Sequence, residues 1–302
     1  MKTGSRWQVF IVLLALPALG FGTETNQPKW SEIEYIAPVE RSVGSDVIYF
    51  DGLPRDQNPN VEVHFDSALK LIDNSDYMGA IAELEALTPI VEGSELAATY
   101  NLVGWCLLGE DELDDAIFRY HVSWEIALGA SDQVGQAVAL DQIGSTYFVN
   151  DGPPDSSLKY FQQALALYQT LGDQQGIAGD LGAIGSVFHD LGQHDTALKY
   201  KRAALAVELA NSDWSAAGSE LLWTGDIFLD QSRPDSALGC YFRSLQYYAG
   251  AHYDVSEPLV LNHMSRLYNQ QGRDWFIAAG LRQGRTQSDI DALAAKLEQR
   301  KY

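Results

Sequence analysis

Two histidine–aspartate doublets, His189-Asp190 and His194-Asp195, are the first residues whose types invite a chemical reading. Imidazole and carboxylate together can hold a divalent metal. A zinc site needs more ligands than these doublets supply, and neither a His-x-x-x-His pair nor a cysteine cluster completes one. The run Asp73-Asn74-Ser75-Asp76 begins like a calcium loop. Such a loop needs a Gly where Met78 stands and a bidentate Glu where Leu84 stands. No Gly-x-Ser-x-Gly elbow and no phosphate-cradling Gly-rich loop is present. The sequence therefore offers no catalytic residue, no metal site and no cofactor motif, and it reads as a non-enzyme.

The elements that position the remaining side chains are set by an internal repeat. Tyr100-Asn101-Leu102-Val103-Gly104 is echoed by Leu140-Asp141-Gln142-Ile143-Gly144 and by Leu181-Gly182-Ala183-Ile184-Gly185. Leu221 to Gly225 and Leu261 to Ser265 continue the frame. The small residues at 104, 144, 185, 225 and 265 are separated by 40, 41, 40 and 40 residues. A second frame follows the first four copies: Asp114, Asp155, Asp195 and Asp235, then Ala116, Ser157, Ala197 and Ala237 two residues on. Four residues further stand Tyr120, Phe161, Lys201 and Tyr241, and after them Ser123, Ala164, Ala204 and Ser244. Two frames keeping one period define a repeated unit.

Each unit reads as a helix pair. Apolar or small residues of the first frame fall at i, i+3, i+4 and i+7, one face of an α-helix. A Gly inside a helix costs about 1 kcal/mol relative to Ala, so its retention implies a closely crossing helix. The Ala or Ser heading the second frame is the expected small residue opposite it. The Asp two residues earlier is the expected cap of the second helix. Gly192, Arg233-Pro234 and Gly152-Pro153-Pro154 mark the turns between the two helices.

These residues resemble the tetratricopeptide repeat (TPR) family, which places a Gly midway along the first helix and an Ala in the second. The family unit is roughly 34 residues. Here the surplus falls after the second helix, as in Ala164 to Gly172, similar to the longer-helix subset of kinesin light chains, Pins-type adaptors and bacterial Rap-type regulators. The resemblance covers 61 to about 285 and implies an all-α, right-handed superhelical solenoid of tandem antiparallel helix pairs. The expected organisation is a signal peptide at 1–22, an extended or partly disordered arm at 23–60 and a TPR-like solenoid at 61–286. Its repeats fall near 61–96, 97–136, 137–177, 178–217, 218–257 and a degenerate 258–286. A C-terminal capping helix takes 287–302, with Ser288 to Asp291 as its capping box and Ile290, Leu293, Ala294 and Leu297 as its apolar stripe.

In this family the first helices line a concave face. The resemblance therefore directs attention to the stripe beside the buried one: Asn101 and Trp105; Asp141, Ser145 and Phe148; His189; Asp226; Asn262, Arg266 and Asn269. Interleaved amides and aromatics suit an extended peptide, the amides pairing with its backbone and Trp105 and Phe148 packing its side chains. Packing of Trp105 and Phe148 between neighbouring repeats is the alternative. The stripe lacks the lysines and arginines with which chaperone-binding members clamp an acidic C-terminus. Asp141 and Asp226 favour basic or neutral ligands instead.

Charge and leader agree with an exported binder. Lys2 and Arg6 precede the uncharged run Val9 to Gly22, with small residues at 18, 20 and 22, the pattern of a secretory signal cleaved before Phe21 or Thr23, with an uncleaved membrane anchor as the alternative. The mature chain has 18 basic against 41 acidic residues, net −23. Residues 61–140 hold 15 acidic groups against only Lys70 and Arg119, whereas 261–302 hold seven basic against four acidic. Nucleic acid is excluded by such a field, since phosphate binding needs clustered cations. Cys106 and Cys240 sit in apolar helical patterns three units apart and are expected to remain buried thiols. The functional expectation is a periplasmic or secreted scaffold that binds a polypeptide in its groove, with no membrane insertion after cleavage. A small-molecule sensing or carrier module is the alternative, and after it an enzyme with a dispersed active site.

Overall fold

A computed structural model describes residues 9–10, 47–48, 59–150, 152–251 and 257–300. The expected leader, and all of the arm but 47–48 and 59–60, lie outside these residues, save for strands β1 (Val9–Phe10) and β2 (Val47–Ile48), which pair antiparallel. Every other described element is an α-helix: α1 (Pro59–Asp73), α2 (Tyr77–Leu87), α3 (Gly93–Gly109), α4 (Leu113–Gly129), α5 (Gln133–Val149), α6 (Pro154–Leu171), α7 (Gln174–Asp190), α8 (His194–Ala210), α9 (Trp214–Asp230), α10 (Pro234–Gly250), α11 (Glu257–Gln271), α12 (Arg273–Arg282) and α13 (Gln287–Glu298). The chain divides into two compact units, Met1–Val187 and Phe188–Tyr302, with the boundary inside α7. Within each unit successive helices pack pairwise, as in α1–α2, α3–α4, α5–α6 and α9–α10.

The mid-helix glycines do mark close approach, but not to the residue expected. A Cβ on Gly104 would stand 2.8 Å from the Tyr120 ring, and one on Gly144 would stand 3.0 Å from Phe161. Gly225 is pressed still more tightly against Tyr241. The aromatic of the second frame, not its leading Ala or Ser, fills the space a side chain would need. Ala116, Ser157, Ala197 and Ala237 are buried all the same, none more than 1% exposed. Serine completes two of the pairs: Ser123 Oγ donates to the Ala97 carbonyl and Ser244 Oγ to the Gly218 carbonyl, both at 2.7 Å.

The capping expectation is also corrected. Asp114, Asp155, Asp195 and Asp235 lie in the first turns of α4, α6, α8 and α10, where they complement the helix dipole but cap nothing. Capping aspartates instead open the first helices: Asp132 accepts from Gly135 N, Asp173 from Gly176 N and Asp213 from Ala216 N. Each follows a residue in the left-handed region, Ser131, Gly172 or Ser212. The chain is thereby turned sharply from one pair into the next. The box of α13 starts at Thr286 rather than Ser288, because Thr286 Oγ1 accepts from Asp289 N at 3.2 Å. Ile290, Ala294 and Leu297 of α13 are then buried against the C-terminal core, with Leu293 half-buried beside them.

Candidate binding site

The stripe falls into two sets, one per unit. In the first unit Trp105, Ser145 and Phe148 are half-buried, whereas Asn101 and Asp141 are each only 2% exposed. Trp105 meets Tyr77 edge-on at 5.6 Å. The Asn101 amide has no hydrogen-bond partner at either Nδ2 or Oδ1. Asp141 on α5 is under the electrostatic influence of the buried Asp180 of α7, and its Oδ1 has no hydrogen-bond partner. Burial pushes the Asp141 carboxyl up to about 7, against the pull of Asp180. The sequence places Asn101 and Asp141 on an open stripe. They are enclosed because neighbouring first helices pack side by side, so a residue three before the central glycine meets the next first helix.

In the second unit Asn262, Arg266 and Asn269 are exposed and His189 is half-buried. His189 Nε2 lies 2.7 Å from Asp230 Oδ2, and its ring is 5.6 Å from that of His194. Among the described residues no group of three or more His, Cys, Asp or Glu is placed to hold a metal. Asn262 Oδ1 accepts from Arg300 at 2.5 Å, so the chain's end engages that amide. Asp226 is not a free groove carboxylate. It accepts from the Tyr241 hydroxyl at 2.6 Å and lies 2.9 Å from His263 Nδ1, with Trp223 edge-on to the imidazole. Burial pushes the Tyr241 phenol well above its ordinary range, and the Asp226 charge adds to the rise. Tyr241 is therefore fixed as a donor, and the trio forms a closed network with no activated nucleophile.

Sequence reasoning missed a second polar cluster in this unit. Lys201, 1% exposed, stands where other repeats carry Tyr or Phe, and its Nζ lies 3.2 Å from Glu220 Oε2. Glu208 completes the group. Burial, with Glu220 beside it, pushes its carboxyl up to about 9 against the pull of Lys201. The signal was a lysine in an aromatic frame. His263 and Asp180 gave a weaker one, each a polar residue inside an apolar run. Both cysteines are buried free thiols, pushed up by burial to about 12 for Cys106 and about 11 for Cys240.

No protein-family model matches the sequence, and no curated protein matches it. Solved structures do. Aspartyl phosphate phosphatase F from Bacillus subtilis is similar over 80% of this chain and 70% of its own, at 13% identity and a TM-score of 0.59. A Rap protein complexed with Competence and Sporulation Factor covers 80% of this chain and 76% of its own, at 12% identity and a TM-score of 0.56. A putative kinesin light chain of Podosopora anserina with nearly identical TPR-like repeats covers 65% of this chain and 98% of its own, at 10% identity and a TM-score of 0.52. The fold is TPR-like. At such identities the likeness speaks for architecture alone, in which the half-buried Trp105, Ser145 and Phe148 belong to TPR-like first helices.

Proposed function

We propose that the chain is an exported, non-enzymatic scaffold that binds a polypeptide along its TPR-like first helices. The observation that carries the reading is the Asn101 amide. It is closed off from water and unpaired at both polar atoms. An unsatisfied buried group costs about 1–3 kcal/mol, which a ligand offering one donor and one acceptor recovers when it parts α3 from α5 to reach the enclosed amide. A peptide bond offers both. Trp105, one turn further along α3, supplies an aromatic wall beside it, and Ser145 and Phe148 extend the surface on α5. In the second unit Asn269 and Arg266 are the exposed members, Asn262, Asp226 and His189 being engaged within the chain.

A Rap protein of this fold is complexed with Competence and Sporulation Factor, which supports partner binding by such helices. The phosphatase among the similar structures shows that fold alone does not settle activity. The non-enzymatic reading rests on the chemistry of the clusters: Tyr241 is locked as a donor, and Lys201 is consumed by Glu220. The acidic field disfavours nucleic acid. Export to the periplasm or medium is carried by the leader at 1–22, and mass spectrometry should find a native N-terminus at Phe21 or Thr23. No described helix is long and apolar enough to cross a membrane.

The test is to select extended peptides from a random displayed library on the purified mature chain, then measure affinity for wild type and Asn101→Ala. A saturable interaction weakened about tenfold by the substitution, roughly the worth of one hydrogen-bonding group, supports the reading. Equal affinity for both proteins, or no saturable binding by any peptide, contradicts it.

A further inference from the structure

The exposed face of α11 carries Asn262, Arg266 and Asn269, each one turn from the next, as a single stripe along the helix. Its first member is already bonded. Arg300 Nη1 donates to Asn262 Oδ1 at 2.5 Å and to the Pro258 carbonyl at 3.0 Å, both acceptors lying in the first two turns of α11. Arg300 stands beyond the end of α13 at Glu298. That helix is held by the burial of Ile290, Ala294 and Leu297, and Glu298 accepts from Tyr268 at 2.7 Å and from Arg273 at 2.5 Å. The anchored stretch therefore ends before Arg300, whose side chain swings off Asn262 without unpacking α13.

The contact is also of a weaker kind than its neighbours. Arg273 and Arg282 each donate to a carboxylate, Glu298 and Asp235, both at 2.5 Å. Arg300 has two neutral acceptors, and a bond between two ionised groups is the stronger. Arg266, one turn beyond Asn262, adds a like charge on the same stripe.

We propose that Arg300 is an intramolecular competitor at the α11 stripe: seated on Asn262 it closes the stripe, and a polypeptide that takes the Asn262 amide displaces it. The inference rests on the reading of the first helices as a polypeptide surface and adds a guarded entrance in the second unit. What Arg300 satisfies sets the chemistry of its replacement. Asn262 Oδ1 and the Pro258 carbonyl are acceptors, so the displacing segment puts an arginine of its own in that place. The strongly acidic chain draws such a basic segment. A site that is open only part of the time binds its ligand proportionally more weakly.

The experiment selects arginine-containing peptides from a displayed library on Arg300→Ala, then titrates them against wild type, Arg300→Ala and the double variant with Asn262→Ala. Peptides that lose binding in the double variant should hold Arg300→Ala about threefold to fivefold more tightly than wild type, the scale of one exposed contact. Equal affinity for wild type and Arg300→Ala overturns the competitor and leaves the scaffold reading standing. So does a set of peptides that all depend on Asn101 and never on Asn262. Failure of every peptide to bind either protein overturns the scaffold reading, and the competitor with it. A ligand-free measurement stands beside these: the Asn262 side-chain amide resonances should shift in Arg300→Ala, and unshifted resonances overturn the proposal. The melting midpoint of Arg300→Ala should match wild type. A fall of several degrees would make Arg300 a clamp on α13 and not a competitor.

Discussion

Lys201 Nζ lies 3.2 Å from Glu220 Oε2 inside the second unit, and the two residues are only 1% and 4% exposed. The position belongs to Tyr120, Phe161 and Tyr241 in the other repeats, so an ion pair replaces an aromatic ring in one layer of a repeated core. Removing one partner of a buried pair leaves an uncompensated charge and costs about 3–5 kcal/mol, whereas replacing both by apolar groups is often neutral. Lys201→Met should therefore destabilise the protein by about 3 kcal/mol. Lys201→Met with Glu220→Met should recover most of that loss. Urea unfolding of both variants reads the difference, and a double variant no better than the single would contradict the pairing.

Glu208 gives a pH dependence of the same cluster. Its carboxyl is held up at about 9 in the folded protein, against an ordinary 4.5, chiefly by burial. The folded state keeps a proton that the unfolded state gives up, so stability declines as pH rises from 4.5 through 9. Glu208→Gln carries no ionisable group and should gain stability over wild type as pH rises through that window, with the smallest difference near pH 4. Thermal midpoints measured at pH 4, 7 and 9 check the sign. A constant offset across the series would show that Glu208 does not titrate there.

The glycines separate by what faces them. Gly104 is pressed against Tyr120, while Gly129, at the end of α4, has no atom within 4 Å of an added Cβ. Gly104→Ala should cost about 1–3 kcal/mol through overpacking. Gly129→Ala should be stabilising by about 0.5 kcal/mol through helix propensity. Equal effects at the two sites, read by denaturant midpoints, would mean the Gly–aromatic contact is not tight.

Asp226 was legible as a stripe residue but not as a buried acceptor. Asp226→Asn should cost about 1–3 kcal/mol, because the amide cannot accept from both Tyr241 and His263 as the carboxylate does. An unchanged melting midpoint would return Asp226 to the solvent-facing surface.

The helix pairs and their order were readable because two frames repeat with one period, and periodicity is a local property of sequence. The first-helix caps were equally visible at Asp132, Asp173 and Asp213, but the aspartates of the second frame drew that role instead. Those aspartates stand at the second residue of their helices, past the cap position, and accept no first-turn N–H. The polar contacts between neighbouring first helices were not readable. The bond of Asp226 with His263, and the burial of Asp141, depend on how one helix rotates against the next. A single sequence fixes the face that is buried, not which of its edges is enclosed by a neighbour. For the same reason Asn101 was expected in an open groove and is found enclosed.

The central claim is that the unpaired Asn101 amide receives a peptide backbone, and a double-substitution cycle tests it most directly. A selected peptide would be compared with analogues in which single backbone amides are replaced by esters, each titrated against wild type and Asn101→Ala. At one position the ester and the substitution should each weaken binding, and their combined effect should fall short of the sum by about 1 kcal/mol, because they remove the same bond. Strict additivity at every backbone position would show that Asn101 does not pair with the peptide, and the proposed binding mode would fail.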